Sequence, residues 1–204
     1  MPNHRHSPSR APARADHWTF FRQWLRNPLA TAAISPSGAQ LARLMLAELP
    51  AGTRRVIELG GGTGVFTAAL LKHGIAPSDL MVVELNEELH QHLQQRFPDA
   101  HVCCGDAREL PSLAAQCGFG DDGLADAVVS GLGLLSMSRS TQQGIVGSAF
   151  ECMGTDGRFV QFTYGPTCPV PKDVLRALGL SARRAGIALW NVPPATVYVI
   201  ERER

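Results

Sequence analysis

A chain of 204 residues has room for one domain with a full core and a modest extension. Its hydrophobic fraction of 45% is that of an ordinary globular protein, and 19 basic against 18 acidic residues leave a net charge of +1, so overall charge does not mark it as a nucleic-acid binder. Five cysteines (Cys103, Cys104, Cys117, Cys152 and Cys168) form no C-x-x-C pair and are odd in number, which speaks against zinc and against a disulfide framework and for reduced thiols in a cytosolic protein. No apolar stretch is long enough to span a membrane, and the amino end lacks the apolar core of a secretory signal.

Residues 1–16, rich in Pro, Arg, Ser and His, read as a disordered basic tail. Residues 1–30 hold five arginines against Asp16 alone, net +4, which leaves −3 on the remainder and suggests an anionic partner for this end. The spacing predicts a helix over 17–27. Trp18, Phe20, Phe21, Trp24 and Leu25 share one face and Thr19, Arg22, Gln23 and Arg26 the other, and Pro28 stops it. Its apolar face packs on the domain, lies among lipid headgroups, or covers the active site and opens onto lipid. Residues 17–36 are thus set apart from a main domain over 37–204.

Helices are expected over 37–49, 64–73, 86–96, 138–153 and 171–179, and strands over 54–59, 79–84, 100–104, 125–130, 157–163, 183–190 and 195–201. Short apolar runs alternating with amphipathic segments indicate βαβ units and a mostly parallel sheet. The last two strands are joined by Asn191-Val192-Pro193-Pro194, too short for a crossover helix, so they must pair antiparallel.

Val56-Ile57-Glu58-Leu59-Gly60-Gly61-Gly62-Thr63-Gly64 runs an apolar strand into a glycine bend and then a helix. Glycine lets the backbone approach a ligand, and the helix start offers free N–H groups. No G-K-[ST] follows, so this is not a P-loop. Glu84 ends the second strand 20 residues after Gly64, where a carboxylate can accept hydrogen bonds from both ribose hydroxyls. Asp106 follows the third strand, where it is a ligand contact, a helix cap, or both. Ser130-Gly131-Leu132 ends the fourth.

This pattern resembles the class I S-adenosylmethionine-dependent methyltransferases. The resemblance implies a Rossmann-like α/β fold with strand order 3-2-1-4-5-7-6 and S-adenosyl-L-methionine as cofactor. It implies that Glu58 meets the amino group of the methionine part, that Asp106 accepts from the adenine amine, and that the strand end at Ser130 faces the reacting methyl. The expected cofactor contacts are Glu58, Gly60, Gly61, Gly62, Thr63, Gly64, Glu84, Leu85, Asp106, Ala107, Ser130 and Gly131, with Ser35 and Ser37 as a loop closing over the methionine end or as helix caps.

Phe20-Phe21-Arg22-Gln23-Trp24-Leu25-Arg26-Asn27-Pro28, Ala33-Ile34-Ser35-Pro36-Ser37, Tyr164-Gly165-Pro166 and Asn191-Val192-Pro193-Pro194-Ala195 add a narrower likeness. With them the chain resembles the soluble bacterial phospholipid N-methyltransferases, which methylate phosphatidylethanolamine toward phosphatidylcholine. It departs from them at Gly133, where that family tends to have Pro, and at Gly61, where it often has Pro, which predicts a looser bend. The resemblance implies a phospholipid substrate at an anionic membrane surface, and a cytoplasmic protein peripheral on the inner face of the membrane. No metal or nucleic-acid partner is expected. Tyr164 and Ser130 are the candidate catalytic residues, with water or Tyr164 taking the amine proton. The product ammonium suits the faces of Tyr164, Trp24 or Trp190. Arg22, Arg26, Lys172, Arg183 or Arg184 can hold the lipid phosphate or stand as solvated charges. Other readings are another aminolipid or a small amine as acceptor, an rRNA adenine N-methyltransferase, which the absence of a planar-base clamp at Ser130-Gly131-Leu132 disfavours, and a cofactor-binding regulatory module.

Overall fold

The computed structural model describes residues 36–121, 123–189, 191 and 194–203. The expected helix over 17–27, the boundaries at 16 and 36, and the candidates Arg22, Trp24, Arg26, Ser35 and Trp190 lie outside them. So does the side chain of Ser37.

Seven strands form one sheet in the order β3-β2-β1-β4-β5-β7-β6, as expected. They are β1 (Val56–Leu59), β2 (Leu80–Glu84), β3 (His101–Cys104), β4 (Ala125–Ser130), β5 (Met153–Thr163), β6 (Leu180–Ala188) and β7 (Ala195–Arg202). β1 pairs in parallel with β2 and β4, β2 with β3, and β4 with β5, whereas β7 lies antiparallel to β5 and β6. The carboxyl ends of β1 to β6 therefore share one edge of the sheet.

Successive strand residues face opposite layers. Ile57, Leu59, Val128 and Phe159 pack into one core with Leu110, Leu113, Ile145, Val146, Phe150 and Leu175. These come from α4 (Leu110–Gln116), α5 (Arg139–Glu151) and α6 (Lys172–Ala177). Val56, Val82, Val129 and Val160 pack into a second core with Leu41, Met45, Leu70 and Leu93, from α1 (Pro36–Leu46), α2 (Val65–His73) and α3 (Glu87–Arg96). Both faces of a parallel sheet are thereby covered, which is why its strands read as near-continuous apolar runs. Among the described residues no helix is long and apolar enough to cross a membrane.

Local chemistry sets the helix boundaries. Asn86 caps α3, its Oδ1 accepting from Leu89 N at 3.0 Å, and Ser138 caps α5, its Oγ accepting from Thr141 N at 3.1 Å. Helix α4 is not among the expected helices; Pro111 stands in its first turn, where its missing N–H has no partner to lose. β5 begins at Met153, four residues before the expected start, with an irregularity against β4 between Ala125 and Ala127. The cysteine expectation is corrected. Cys103 on β3 and Cys117 at the end of α4 form a disulfide, with Cα atoms 6.6 Å apart. The pairing depends on the helix the sequence reading lacked.

Candidate active site

The glycine bend is stitched to the end of β2. Gly60 N and Gly61 N both donate to Val83 O, at 2.8 and 3.3 Å. Gly60 (φ 75), Gly62 (φ 54) and Gly64 (φ 79) occupy the left-handed region that favours glycine. The expected looseness at Gly61 is not found. A Cβ there would meet Val82 Cγ1 at 2.5 Å and Leu93 Cδ1 at 2.8 Å, so the bend is packed tightly from below. At Gly62 nothing lies nearer than Gly60 O at 4.0 Å, which leaves that side of the bend open. Arg96, at the end of α3, donates to Thr63 O at 2.7 Å and holds the far side.

Glu84 turns toward the bend. Its Oε2 accepts from Gly62 N and its Oε1 from Asn86 N, each at 2.9 Å. A carboxylate has about four acceptor sites, so both oxygens keep capacity for hydroxyl donors. Leu85 beside it is 68% exposed, and Ala107 is buried.

Glu58 is fully buried on β1. Thr67 Oγ1 on α2 donates to its Oε2 at 2.6 Å, while Oε1 has no partner. Burial pushes the carboxyl up to about 8 against the pull of the Thr67 bond. At neutral pH this group holds a proton unless a cation comes beside it.

Asp106 caps the short turn that leads into α4. Its Oδ1 accepts from Arg108 N at 2.9 Å, and its Oδ2 from the Arg108 guanidinium at 2.6 Å. The Arg108 hydrogen bond holds Asp106 below the usual carboxylate range. The capping role expected for Asp106 is thus present, with Arg108 as a further partner.

The loops after β1 and β4 touch. Gly131 N donates to Leu59 O at 2.8 Å, and a Cβ on Gly131 would lie 3.1 Å from Gly60 O. This is the seam where strand order reverses, the position at which open α/β sheets bind ligands. Ser130 is fully buried, and its Oγ accepts from Leu132 N at 3.3 Å, a bond that shapes its own turn. Phe66 on α2 leads away from the seam. Its ring lies 5.8 Å from Phe162, and Phe162 lies 5.5 Å from Tyr164 in an edge-on contact. Burial raises the Tyr164 hydroxyl above its ordinary value. Arg183 is engaged elsewhere. It donates to Glu48 Oε2 at 2.7 Å and lies 3.7 Å from Glu201 at the sheet edge, so its role as a phosphate holder is not supported.

Thr67, Asn86 and Arg96 escaped the sequence reading because each acts by touching another site residue. The one signal for Thr67 is its place one turn into the helix that follows the bend.

No protein-family model matches the chain. It is 28% identical over 155 residues to the ornithine lipid N-methyltransferase of Singulisphaera acidiphila, covering 74% of this chain and 79% of that protein. In fold it is similar to a TehB-like SAM-dependent methyltransferase from Corynebacterium glutamicum, with a TM-score of 0.57 and 18% identity over 92% of this chain and 98% of the other. It is likewise similar to the magnesium protoporphyrin IX methyltransferase of Synechocystis PCC 6803, solved with bound SAM, with a TM-score of 0.58 and 14% identity over 95% of this chain and 100% of the other. Fold, glycine bend and strand-end carboxylates together define a class, the S-adenosylmethionine-dependent methyltransferases of the Rossmann-like class I fold.

Proposed function

We propose that this chain transfers methyl groups from S-adenosylmethionine to the amine of a membrane aminolipid, with phosphatidylethanolamine and its partly methylated forms as acceptors. The observation that carries the reading is the placement of Glu58, Glu84 and Asp106 at successive strand ends around a bend left open at Gly62. The residues fit the cofactor. The partnerless Oε1 of Glu58 suits the ammonium of its methionine part, and the spare acceptor sites of Glu84 suit the ribose hydroxyls. Exposed Leu85 suits one face of the adenine and Asp106 its amine.

The cofactor supplies an electrophilic methyl on a sulfonium. With it bound, the lone pair of a neutral amine would form the new C–N bond, the electron pair of the C–S bond staying with sulfur, and a primary or secondary amine would then release one proton to water. No side chain has to act as nucleophile, so the protein's part is to hold the two reactants in line.

The lipid acceptor is supported by Leu135 after β4 and by Ile187 and Leu189 at the carboxyl end of β6, exposed apolar side chains that suit acyl chains. Likeness to an ornithine lipid N-methyltransferase points the same way. The location that goes with this reading is the cytoplasmic face of the membrane. The Arg22 and Arg26 face of segment 17–27 would lie on anionic phosphates and its Trp24 face among the headgroups.

The test is incubation of the purified chain with methyl-labelled S-adenosylmethionine and phosphatidylglycerol vesicles carrying either phosphatidylethanolamine or ornithine lipid, followed by thin-layer separation. Label in either aminolipid supports the reading, and the brighter spot names the headgroup. Label only in RNA or in soluble amines overturns it. Deleting residues 1–30 is expected to abolish sedimentation with these vesicles, and undiminished sedimentation would remove the membrane location.

A further inference from the structure

Gln161 interrupts the apolar run Phe159-Val160-Gln161-Phe162 of β5 and is fully buried there. In the sheet it stands opposite Ser130, the last residue of β4. Its Nε2 donates to Leu132 O at 2.9 Å and to Phe162 O at 2.6 Å, while Oε1 has no partner. Both contacts are carbonyl oxygens, which only accept, so they fix which end of the carboxamide is nitrogen. The orphaned Oε1 costs free energy that an aliphatic side chain at this place would not incur. What the carboxamide supplies is two N–H bonds from one uncharged nitrogen, which only Asn and Gln side chains offer.

The bond to Leu132 O falls on the loop that follows β4. Leu134 N donates to the same oxygen at 2.9 Å, so both of its lone pairs are engaged and the peptide plane is set. Leu132 also reaches the glycine bend, since a Cβ on Gly60 would lie 2.8 Å from Leu132 Cδ2. Gln161 thus fixes a loop that touches the bend from the β4 side. The carboxylates suited to ribose and adenine, Glu84 at the end of β2 and Asp106 after β3, lie on the other side of the bend. An acceptor therefore has to come in over the loop after β4. A second buried glutamine, Gln142 on α5, donates from Nε2 to Leu134 O at 2.7 Å and Pro169 O at 3.2 Å. It anchors the same loop two residues beyond the contact with Gly60.

We infer that Gln161 is a positioning residue for methyl transfer, one that sets the height of the loop after β4 and thereby the line along which the acceptor meets the methyl. The inference rests on the methyl-transfer part of the reading given above and not on the identity of the amine. Fully buried, Gln161 touches neither reactant, and its effect runs through Leu132 O. In-line transfer is sensitive to shifts of about 1 Å in such placement. The bend has its own supports in Val83 O, Glu84 and Arg96, so cofactor binding does not depend on Gln161.

The experiment uses the full chain, methyl-labelled S-adenosylmethionine, and as acceptors phosphatidylglycerol vesicles with phosphatidylethanolamine or ornithine lipid, soluble ethanolamine, and ribosomal RNA. Turnover is compared on whichever of these the unaltered chain methylates. Gln161→Met, which keeps the length and removes both N–H groups, is expected to lower kcat at saturating cofactor and acceptor about tenfold. Cofactor affinity by calorimetry should stay within about twofold. In the cofactor-free chain, amide exchange over 131–134 should quicken several-fold while 60–64 stays as it was. Gln142→Met loses a matching pair of bonds and is expected to lower Tm comparably, with kcat within about threefold. Gln161→Glu keeps the shape but donates through its carboxyl only while protonated. Its kcat relative to the unaltered chain should therefore fall as pH rises from about 6 to about 9, a comparison that stands even where the methionine variant fails to fold. An equal fall in kcat in both methionine variants overturns the role, as do unchanged exchange over 131–134, a matching loss of cofactor affinity, or a flat pH ratio for Gln161→Glu. Label in ethanolamine or RNA alone removes the aminolipid reading, and the role of Gln161 is then read on that acceptor. Transfer to none of them overturns both.

Discussion

Thr67 Oγ1 holds one oxygen of Glu58 at 2.6 Å, and the other oxygen, equally buried, is left without a partner. A carboxyl in this state keeps its proton to about pH 8 in the folded chain, whereas an ordinary carboxyl loses it near 4.5. Because the folded value is the higher, the folded state binds more protons across that interval and stability falls as pH rises through it. Glu58→Gln replaces the carboxyl by a neutral isostere. It is expected to raise Tm at pH 7.5 and to flatten its pH dependence between 5 and 8 in thermal scans. The same variant should weaken S-adenosylmethionine binding by about tenfold or more, since the ammonium loses a charged partner. A pH dependence identical to that of the unaltered chain would show that Glu58 does not titrate in this window.

Glu84 ties the bend at Gly62 N to its own loop at Asn86 N while retaining acceptor sites for a ligand. Glu84→Gln keeps one acceptor and loses the charge. Each charge-assisted hydrogen bond is worth about 1.5–3 kcal/mol, so cofactor affinity is expected to fall roughly 10–100-fold. The loss of backbone support should lower Tm as well. Isothermal titration with the demethylated product separates the two effects, because binding can be read below the unfolding temperature. Unchanged affinity would remove Glu84 from the ribose site.

Gly61 has no left-handed backbone, yet its missing side chain matters. Its Cβ position is occupied by Val82 Cγ1 at 2.5 Å and Leu93 Cδ1 at 2.8 Å. Gly61→Ala is expected to destabilise by about 1–3 kcal/mol through overpacking. Gly61→Pro should cost more, because it also removes the donor to Val83 O. Leu93→Ala, costly by itself in the core, should cost less in the Gly61→Ala background, since it clears one of the two contacts. Chemical denaturation of these variants tests the order, and full tolerance of Gly61→Ala would mean that Val82 and Leu93 move aside freely.

The buried parallel strands and the antiparallel end were legible from local signals, whereas the strand order followed only from the resemblance. Uninterrupted apolar runs mark buried parallel strands, and the four residues from Asn191 to Pro194 leave no room for a crossover. The positions of Glu58 within β1, Glu84 at the end of β2 and Asp106 after β3 were legible for the same reason, as each is the first polar break after or within such a run. What remained hidden depends on contacts between distant residues. Helix α4 was not expected, and without it the approach of Cys117 to Cys103 was hidden. Arg183 looked like a free cation because its partner Glu48 is 135 positions away in sequence. Nor does sequence reveal that Ser130 is fully buried with its Oγ accepting from Leu132 N.

Arg96 provides a separate check on how the bend is held. Its guanidinium donates to Thr63 O at 2.7 Å and lies 5.1 Å over the Phe97 ring, while Phe97 fills the space beside Gly64. One side chain thus fixes both the carbonyl of the loop and the aromatic wedge under its last glycine. Removing it in Arg96→Ala breaks a charge-assisted bond and a stacking contact, a loss of about 1–3 kcal/mol in stability. The larger consequence should be in binding. A bend that samples several conformations binds through the competent fraction alone, and apparent affinity falls by that fraction. A several-fold weaker cofactor affinity is therefore expected, with kcat at saturating cofactor changed by less than about twofold. Arg96→Lys restores a cation for the carbonyl but not the planar stack over Phe97, and should fall between the two. If Arg96→Ala loses stability with no change in cofactor affinity, the clamp is a packing feature of α3 and the bend is held by Val83 and Glu84 alone.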